Sequence, residues 1–266
     1  VNLAAIDSSA TKGSSWLHHA APRAKLAAFA LVLSAVIVSW NVLVLAAIGL
    51  LLAAVIASTR VPGGLAFSLS MYPAIFAAVF AFSAAPDAIT GAAIILKAVV
   101  AALTAVTLIL TTPYPQVFAP LQKVMPTIVG DAMLMTYRST FLLLGKFANL
   151  LTAVRLRSGL SNGQPVRSAK AITRALGGLL LYAIDLAQRD HDIMRLRGYE
   201  GRLQVTSLQG RSFHADIALV AAAFLLVSAA VAARAYADVF NPYSWIAPIA
   251  SLVVLIVTAG LFRRVR

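Results

Sequence analysis

Of the 266 residues, 61% are hydrophobic and only 12% are charged, and the mean hydropathy is +0.87. A soluble domain of this length needs roughly a quarter of its residues charged, so the apolar excess has to face lipid. The absence of cysteine excludes a disulfide framework, thiolate chemistry and a Cys-ligated zinc site, while the net charge of +13 suits anionic lipid, nucleic acid or an acidic protein partner.

Residues 1–25 are polar and mixed, and the apolar run after them is longer than the ~7–15 residues of a signal-peptide core, so no cleaved leader is expected. Leu26 to Ala57 carries no charge. That run exceeds one span of about 20 residues, and Trp40-Asn41 interrupts it. Two short spans are predicted, 26–40 and 42–57, joined by a tight hairpin. Arg60-Val61-Pro62-Gly63-Gly64 ends the pair, because Pro and Gly punctuate helices. Further spans are predicted over 65–83, 88–111, 215–235 and 243–262. The expectation is an all-α membrane protein with about six transmembrane helices and two long cytoplasmic helices. Its parts are a four-span segment (1–111), a cytoplasmic region (112–214) and a two-span segment (215–266).

Charge placement orients these spans. With the N-terminus inside, the cytoplasmic segments 1–25, 58–64, 112–214 and 263–266 hold 20 of the 22 Lys and Arg residues. The positive-inside rule weights short loops most, and the two end segments and the Arg60 loop all agree. Both termini are therefore expected in the cytoplasm. The two exceptions are Lys97, inside the fourth span, and Arg234, at the outer end of the fifth. A charge within an apolar helix is costly and often functional, but Lys97 reads here as a structural residue that snorkels or pairs within the bundle.

Residues 112–214 differ from the rest. Over Thr127–Arg157, Asp131, Arg138, Lys146 and Asn149 recur at a helical period and form one narrow polar stripe. Phe141, Leu144, Phe147, Leu151 and Val154 occupy the other faces. Such a helix is expected along the membrane surface or against the bundle rather than across lipid. A loop follows through Ser158-Gly159-Leu160-Ser161-Asn162-Gly163-Gln164-Pro165. The next helix, about Arg167–Arg197, has Asp185, Gln188, Arg189, Asp192 and Arg195 on its wet side and Ile172, Leu176, Leu179, Leu180 and Ala183 on its dry side.

Both helices end alike. Arg155-Leu156-Arg157-Ser158-Gly159 closes the first and Arg195-Leu196-Arg197-Gly198-Tyr199 the second. Arg in a last turn suits the negative end of the helix dipole, and Gly beyond it supplies a left-handed cap. The repetition in the one large cytoplasmic segment favours more than capping. Two exposed helix tips would each present guanidinium groups suited to bidentate pairing with carboxylates in a partner's groove.

At these residues the chain resembles the T component, the transmembrane coupling subunit, of energy-coupling-factor (ECF) transporters. Leu17-His18-His19-Ala20-Ala21-Pro22-Arg23-Ala24-Lys25-Leu26 is similar to the family's opening Leu/Ile-His-x-x-Asp-Pro-Arg-x-Lys-Leu, with Ala21 in place of Asp. Arg60-Val61-Pro62 resembles its Arg-Ile-Pro, and Thr111-Thr112-Pro113 and Tyr137-Arg138 fall where it has similar residues. The two helix ends resemble its paired Ala-Arg-Gly motifs, with Arg157 and Arg197 as the motif arginines. Leu156 and Leu196 stand for the motif Ala, and Ser158 for the first Gly. The second motif, Met194 to Gly201, is nearest the cobalt/nickel, CbiQ-like branch.

The resemblance implies a prokaryotic inner-membrane protein that binds no nucleotide or metal itself and performs no catalysis. Its partners would be two ATP-binding cassette ATPase subunits, which use ATP and Mg, and a small membrane substrate-binding subunit. Arg155, Arg157, Ser158, Gly159, Arg195, Arg197, Gly198 and Tyr199 would form the ATPase-coupling sites. Closure of the ATPases would move the helices and tilt the substrate subunit, for cobalt or nickel or, alternatively, for a vitamin-type substrate.

Rival readings fit less well. Asp185, Asp190 and Asp192 form a single cluster, where an intramembrane prenyltransferase normally needs two. His18, His19, His191 and His214 lack His-x3-His or His-Glu-x-x-His spacing, so a surface role is expected for them. An intramembrane Ser protease would want Gly-x-Ser-x and a spaced His in the spans, and the predicted spans hold neither. A secondary transporter would not need a 100-residue basic insert. Nucleic acid is not expected as a partner, because the polar stripe is mixed in sign and no aromatic platform accompanies it.

Overall fold

The computed structural model describes residues 10–11, 13, 15–59, 62–122, 125–157, 165–199, 201, 203, 213–236 and 244–263. Among these the elements are helices, and no strand occurs: α1 (Trp16–His19), α2 (Pro22–Val38), α3 (Val42–Ser58), α4 (Gly63–Ala84), α5 (Ala88–Thr111), α6 (Tyr114–Leu121), α7 (Thr127–Leu156), α8 (Pro165–Leu196), α9 (Phe213–Ala235) and α10 (Ile246–Arg263). The chain is an all-α membrane protein that divides into two compact units, residues 1–117 with 207–266, and residues 118–206.

Local chemistry sets the helix ends of the first unit. Pro22 opens α2 at its first turn, where the missing N–H is no loss. The helix stops at Val38, and Asn41 starts α3 by accepting the Leu43 N–H on its side-chain oxygen at 2.9 Å. The Trp40-Asn41 break predicted in the apolar run is thus a three-residue connection with its own cap. Pro62 precedes α4, and Pro86-Asp87 separates α4 from α5. Arg60 and Val61 lie outside the described residues.

In this unit α4 packs on α5, α9 on α2, and α10 on α3, while α5 also packs against α2 and α3. Ala35, Val36, Leu45, Ile48, Ala93, Val100 and Ala230 form one buried cluster, and Ile56, Ala66, Leu103 and Leu110 a second. Ala35, Ala66, Ala93 and Ala230 let the helices come close, since helices in lipid associate by close approach rather than by a hydrophobic drive. Gly49 marks one such approach, since a Cβ there would lie 3.1 Å from Val100 Cγ2. The buried hydroxyls of Thr104, Thr107 and Thr111 donate to carbonyls one turn back at 2.7 Å, so these polar groups add no unpaired donor to the interior.

Among the described residues four helical stretches are long and apolar enough to cross a membrane: Gly63–Ala84, Ala88–Thr111, Thr127–Leu156 and Ala215–Ala235. Val42–Ser58 and Ile246–Gly260 are apolar but shorter. At 1.5 Å per residue the 17-residue α2 and α3 each reach about 25 Å, just short of the ~30 Å hydrocarbon core. Of the six predicted spans, 65–83, 88–111 and 215–235 coincide with stretches of crossing length, and the other three fall on the shorter helices α2, α3 and α10. The first two give up residues to the hairpin that joins them.

α7, expected along the membrane surface or against the bundle, enters that set by length and composition alone. In the second unit its polar stripe meets α8. Asp131 accepts from Tyr199, Arg138 lies 3.8 Å from Asp190, and the Lys146 amine is 4.8 Å from the centre of the Tyr182 ring. The stripe that the period picks out is an interhelical seam. The apolar flanks Ile128, Val129, Leu142 and Leu144 remain exposed in the unit.

Candidate functional site

The partners along that seam give the direction of the pair. As the position on α7 rises from 131 through 138 to 146, the partner falls from 199 through 190 to 182. The helices run antiparallel, so their C-terminal tips lie at opposite ends of the pair. Extending the register puts Arg157 level with about residue 171, and at 1.5 Å per residue the tips are separated by about 40 Å.

At the α7 tip, Arg155 occupies the last turn and Arg157 is the C-cap, its N–H donating to Ala153 O at 3.1 Å. Both arginines are exposed. Ser158 and Gly159, expected to complete this site, lie outside the described residues. Leu156, between the arginines, is 82% exposed.

The α8 tip is described further. Gly198 N–H donates to Arg195 O at 3.1 Å and Tyr199 N–H to Met194 O at 3.0 Å, the paired bonds of a Schellman cap. The cap requires a left-handed residue, and Gly198 has φ +76°. The glycine after Arg197 thus turns the chain sharply and leaves Arg195, Leu196 and Arg197 at an exposed end, with Leu196 88% exposed. Arg155 and Arg157 share one tip, and Arg195, Arg197, Gly198 and Tyr199 the other.

Tyr199 does not face solvent freely. Its hydroxyl donates to Asp131 Oδ2 at 2.5 Å, and this bond is the main cause that raises its pKa above the ordinary phenol value. The other oxygen, Oδ1, accepts the Leu203 N–H at 2.9 Å. Sequence reasoning placed Asp131 on the polar stripe but gave it no part in the site. Its partners are 68 and 72 residues away, which no local pattern reports.

A second polar knot lies at the start of α2. Lys25 is buried and donates to His18 O and Thr111 O, each at 3.1 Å, while Ala21 N–H donates to Asp216 Oδ1 at 2.7 Å. His18, expected at the surface, is instead 2% exposed, with Nδ1 2.6 Å from Ser15 Oγ. The Leu17–Leu26 segment folds back on α5 and α9, and this buries its first histidine. His19 and His191 are exposed as expected.

No curated protein compared with the chain matches it. The sequence profile of the CbiQ family, described as cobalt transport protein, matches residues 13–207. That stretch holds Lys25 with its partners His18 and Thr111, α2 to α8 and both arginine tips, and it covers most of the 266 residues. The chain is a multi-pass membrane protein and a transport component, and it belongs to the CbiQ family of cobalt transport proteins.

Proposed function

We propose that the chain is the transmembrane coupling subunit of an ECF-type importer for cobalt or a chemically similar divalent ion. One observation carries the reading: two exposed Arg-Leu-Arg tips project from opposite ends of one antiparallel helix pair. A separation of about 40 Å is too wide for one groove and suits two partner subunits. Each partner would be an ATP-binding cassette ATPase that uses ATP and Mg and offers carboxylates to Arg157 or Arg197.

The lever argument is physical. A 30-residue and a 32-residue helix are stiff rods of about 45 Å. Polar contacts along their seam fix their register, so displacement of a tip moves the whole rod. The exposed apolar residues of α7 and α8, among them Ile128, Leu144, Leu180 and Ile184, would face lipid or the small membrane subunit that binds the substrate. Placement of both chain ends in the cytoplasm of a prokaryotic cell rests on the charge partition, 20 of 22 basic residues in the assigned inner segments.

Arg157→Ala and Arg197→Ala, singly and together, test the reading by ATPase co-purification and cobalt uptake. Truncating one partner of a buried charge pair costs about 2–5 kcal/mol, so each change should weaken assembly roughly 30-fold or more. Arg197→Lys should restore only part, because an ammonium lacks the planar fork. Parental ATPase retention and uptake in the double variant would remove the basis for the reading.

A further inference from the structure

Beyond the arginines, the second tip is held by residues from the far end of the chain segment that forms the unit. Asp131, on the first turns of α7, is 4% exposed, and both of its oxygens are used on the segment that follows α8. Oδ2 accepts from the Tyr199 hydroxyl and Oδ1 from the Leu203 N–H. The same residue is held through its carbonyl as well, since Gln122 Nε2 donates to Leu203 O at 3.5 Å. Gln122 can reach it because Gly130 leaves room: a Cβ there would lie 2.6 Å from Gln122 Cγ. Gly201, at φ +85°, lies within the latched segment.

We infer that Asp131 is a positioning residue for the Arg197 tip, latching Tyr199 and Leu203 so that the guanidinium leaves the Schellman turn in one fixed direction. The inference rests on the docking role proposed for Arg197. A buried carboxylate spent on two donors in a tip segment is costly unless both bonds form. A helix end without it would keep its Gly198 cap but lose the constraint one residue further on. Asp131 lies at the end of the helix pair opposite Arg157, so its effect should be confined to one ATPase.

Asp131→Ala, Asp131→Asn and Tyr199→Phe, each alone and combined with Arg157→Ala or Arg197→Ala, are measured for ATPase retention on the intact chain in mild detergent. Asp131→Ala is expected to weaken retention roughly tenfold. Asp131→Asn should recover most of that, because the amide keeps an acceptor for the Leu203 N–H and can donate to the phenol oxygen. Tyr199→Phe should fall between the two. The discriminating readout is additivity. Asp131→Ala should add little to Arg197→Ala, since both act at one tip, and should add fully to Arg157→Ala. A general folding defect would add to both, and that outcome overturns the inference. So does parental retention in Asp131→Ala while Arg197→Ala is defective, which would leave the docking reading intact. Parental retention in Arg197→Ala would instead overturn the docking reading and the latch with it.

Discussion

Lys97 and Arg234, the two basic residues outside the assigned inner segments, cap the same helix end. Lys97 Nζ donates to Ile37 O and Arg234 Nη1 to Val38 O, each at 2.8 Å. These carbonyls belong to the last turn of α2, where intrahelical partners run out and the helix dipole is negative. Lys97 also lies 4.4 Å from the centre of the Trp40 ring. Both exceptions to the charge partition therefore have a structural reason in the hairpin that joins α2 to α3.

Because the two cations share one task, each should be individually replaceable. Lys97→Met is expected to leave uptake within a few-fold of the parent and to cost about 1–2 kcal/mol of stability, read as a lower unfolding midpoint in detergent. Lys97→Met with Arg234→Met should cost more than either alone, because α2 then ends with no cation on its last carbonyls. Loss of uptake in Lys97→Met at normal membrane abundance would make Lys97 a pathway residue instead.

The contact between Ala21 and Asp216 offers a second test. Asp216→Ala should cost about 1–3 kcal/mol, leaving the Ala21 N–H without its partner and Lys25 without its nearby carboxylate. Restoring a carboxylate locally should recover part of this: Ala21→Asp puts an acceptor at the N-cap of α2, within reach of the N–H groups of its first turn. The comparison is the unfolding midpoint of Asp216→Ala with and without Ala21→Asp. No recovery would show that Asp216 is needed for a contact other than this cap.

Gly198→Ala tests backbone conformation without a clash. Nothing lies within 4 Å of a Cβ built at Gly198, so any effect comes from its φ of +76°. An L side chain there costs about 1–2 kcal/mol. The helix end should relax, and ATPase retention should fall several-fold with little change in overall stability. Gly198→Asn should be milder, since Asn tolerates the left-handed region. Equal retention in parent and Gly198→Ala would separate the cap from docking.

Much of this arrangement was legible in the sequence because its causes are local. Asn41 starts α3 through its side-chain cap, and Pro62, Pro86 and Pro113 stop or start later helices through their own backbone chemistry. The stripe of Asp131, Arg138 and Lys146 was legible as a period, but its meaning was not. Periodicity says which residues share a face and is silent on whether water or another helix meets them. Asp131 with Tyr199, and Ala21 with Asp216, join residues 68 and 195 positions apart, and only the packed chain brings them together. His18 was misread for the same reason. Its spacing excluded the metal motifs considered, but burial depended on how the segment folds back.

Orientation is checked by a reporter fused after Arg266. The charge partition predicts that a reporter active only outside the cytoplasm stays silent there and becomes active when fused within the Trp40–Asn41 hairpin. The reverse pattern would invert the topology and put the arginine tips on the wrong side for an ATPase.

The central claim is that each tip holds its own ATPase subunit, and the cysteine-free sequence permits a direct measurement. Leu156→Cys and Leu196→Cys place one thiol at each tip, at positions 82% and 88% exposed in the free chain and next to the docking arginines. A short photoreactive label on these thiols, activated in the assembled transporter, should trap one ATPase subunit per single-cysteine chain. The double-cysteine chain should trap two, giving a covalent species of one chain with two ATPases by intact mass. Capture of a single ATPase by the double-cysteine chain, or of none from either tip while the complex stays assembled, would contradict the account.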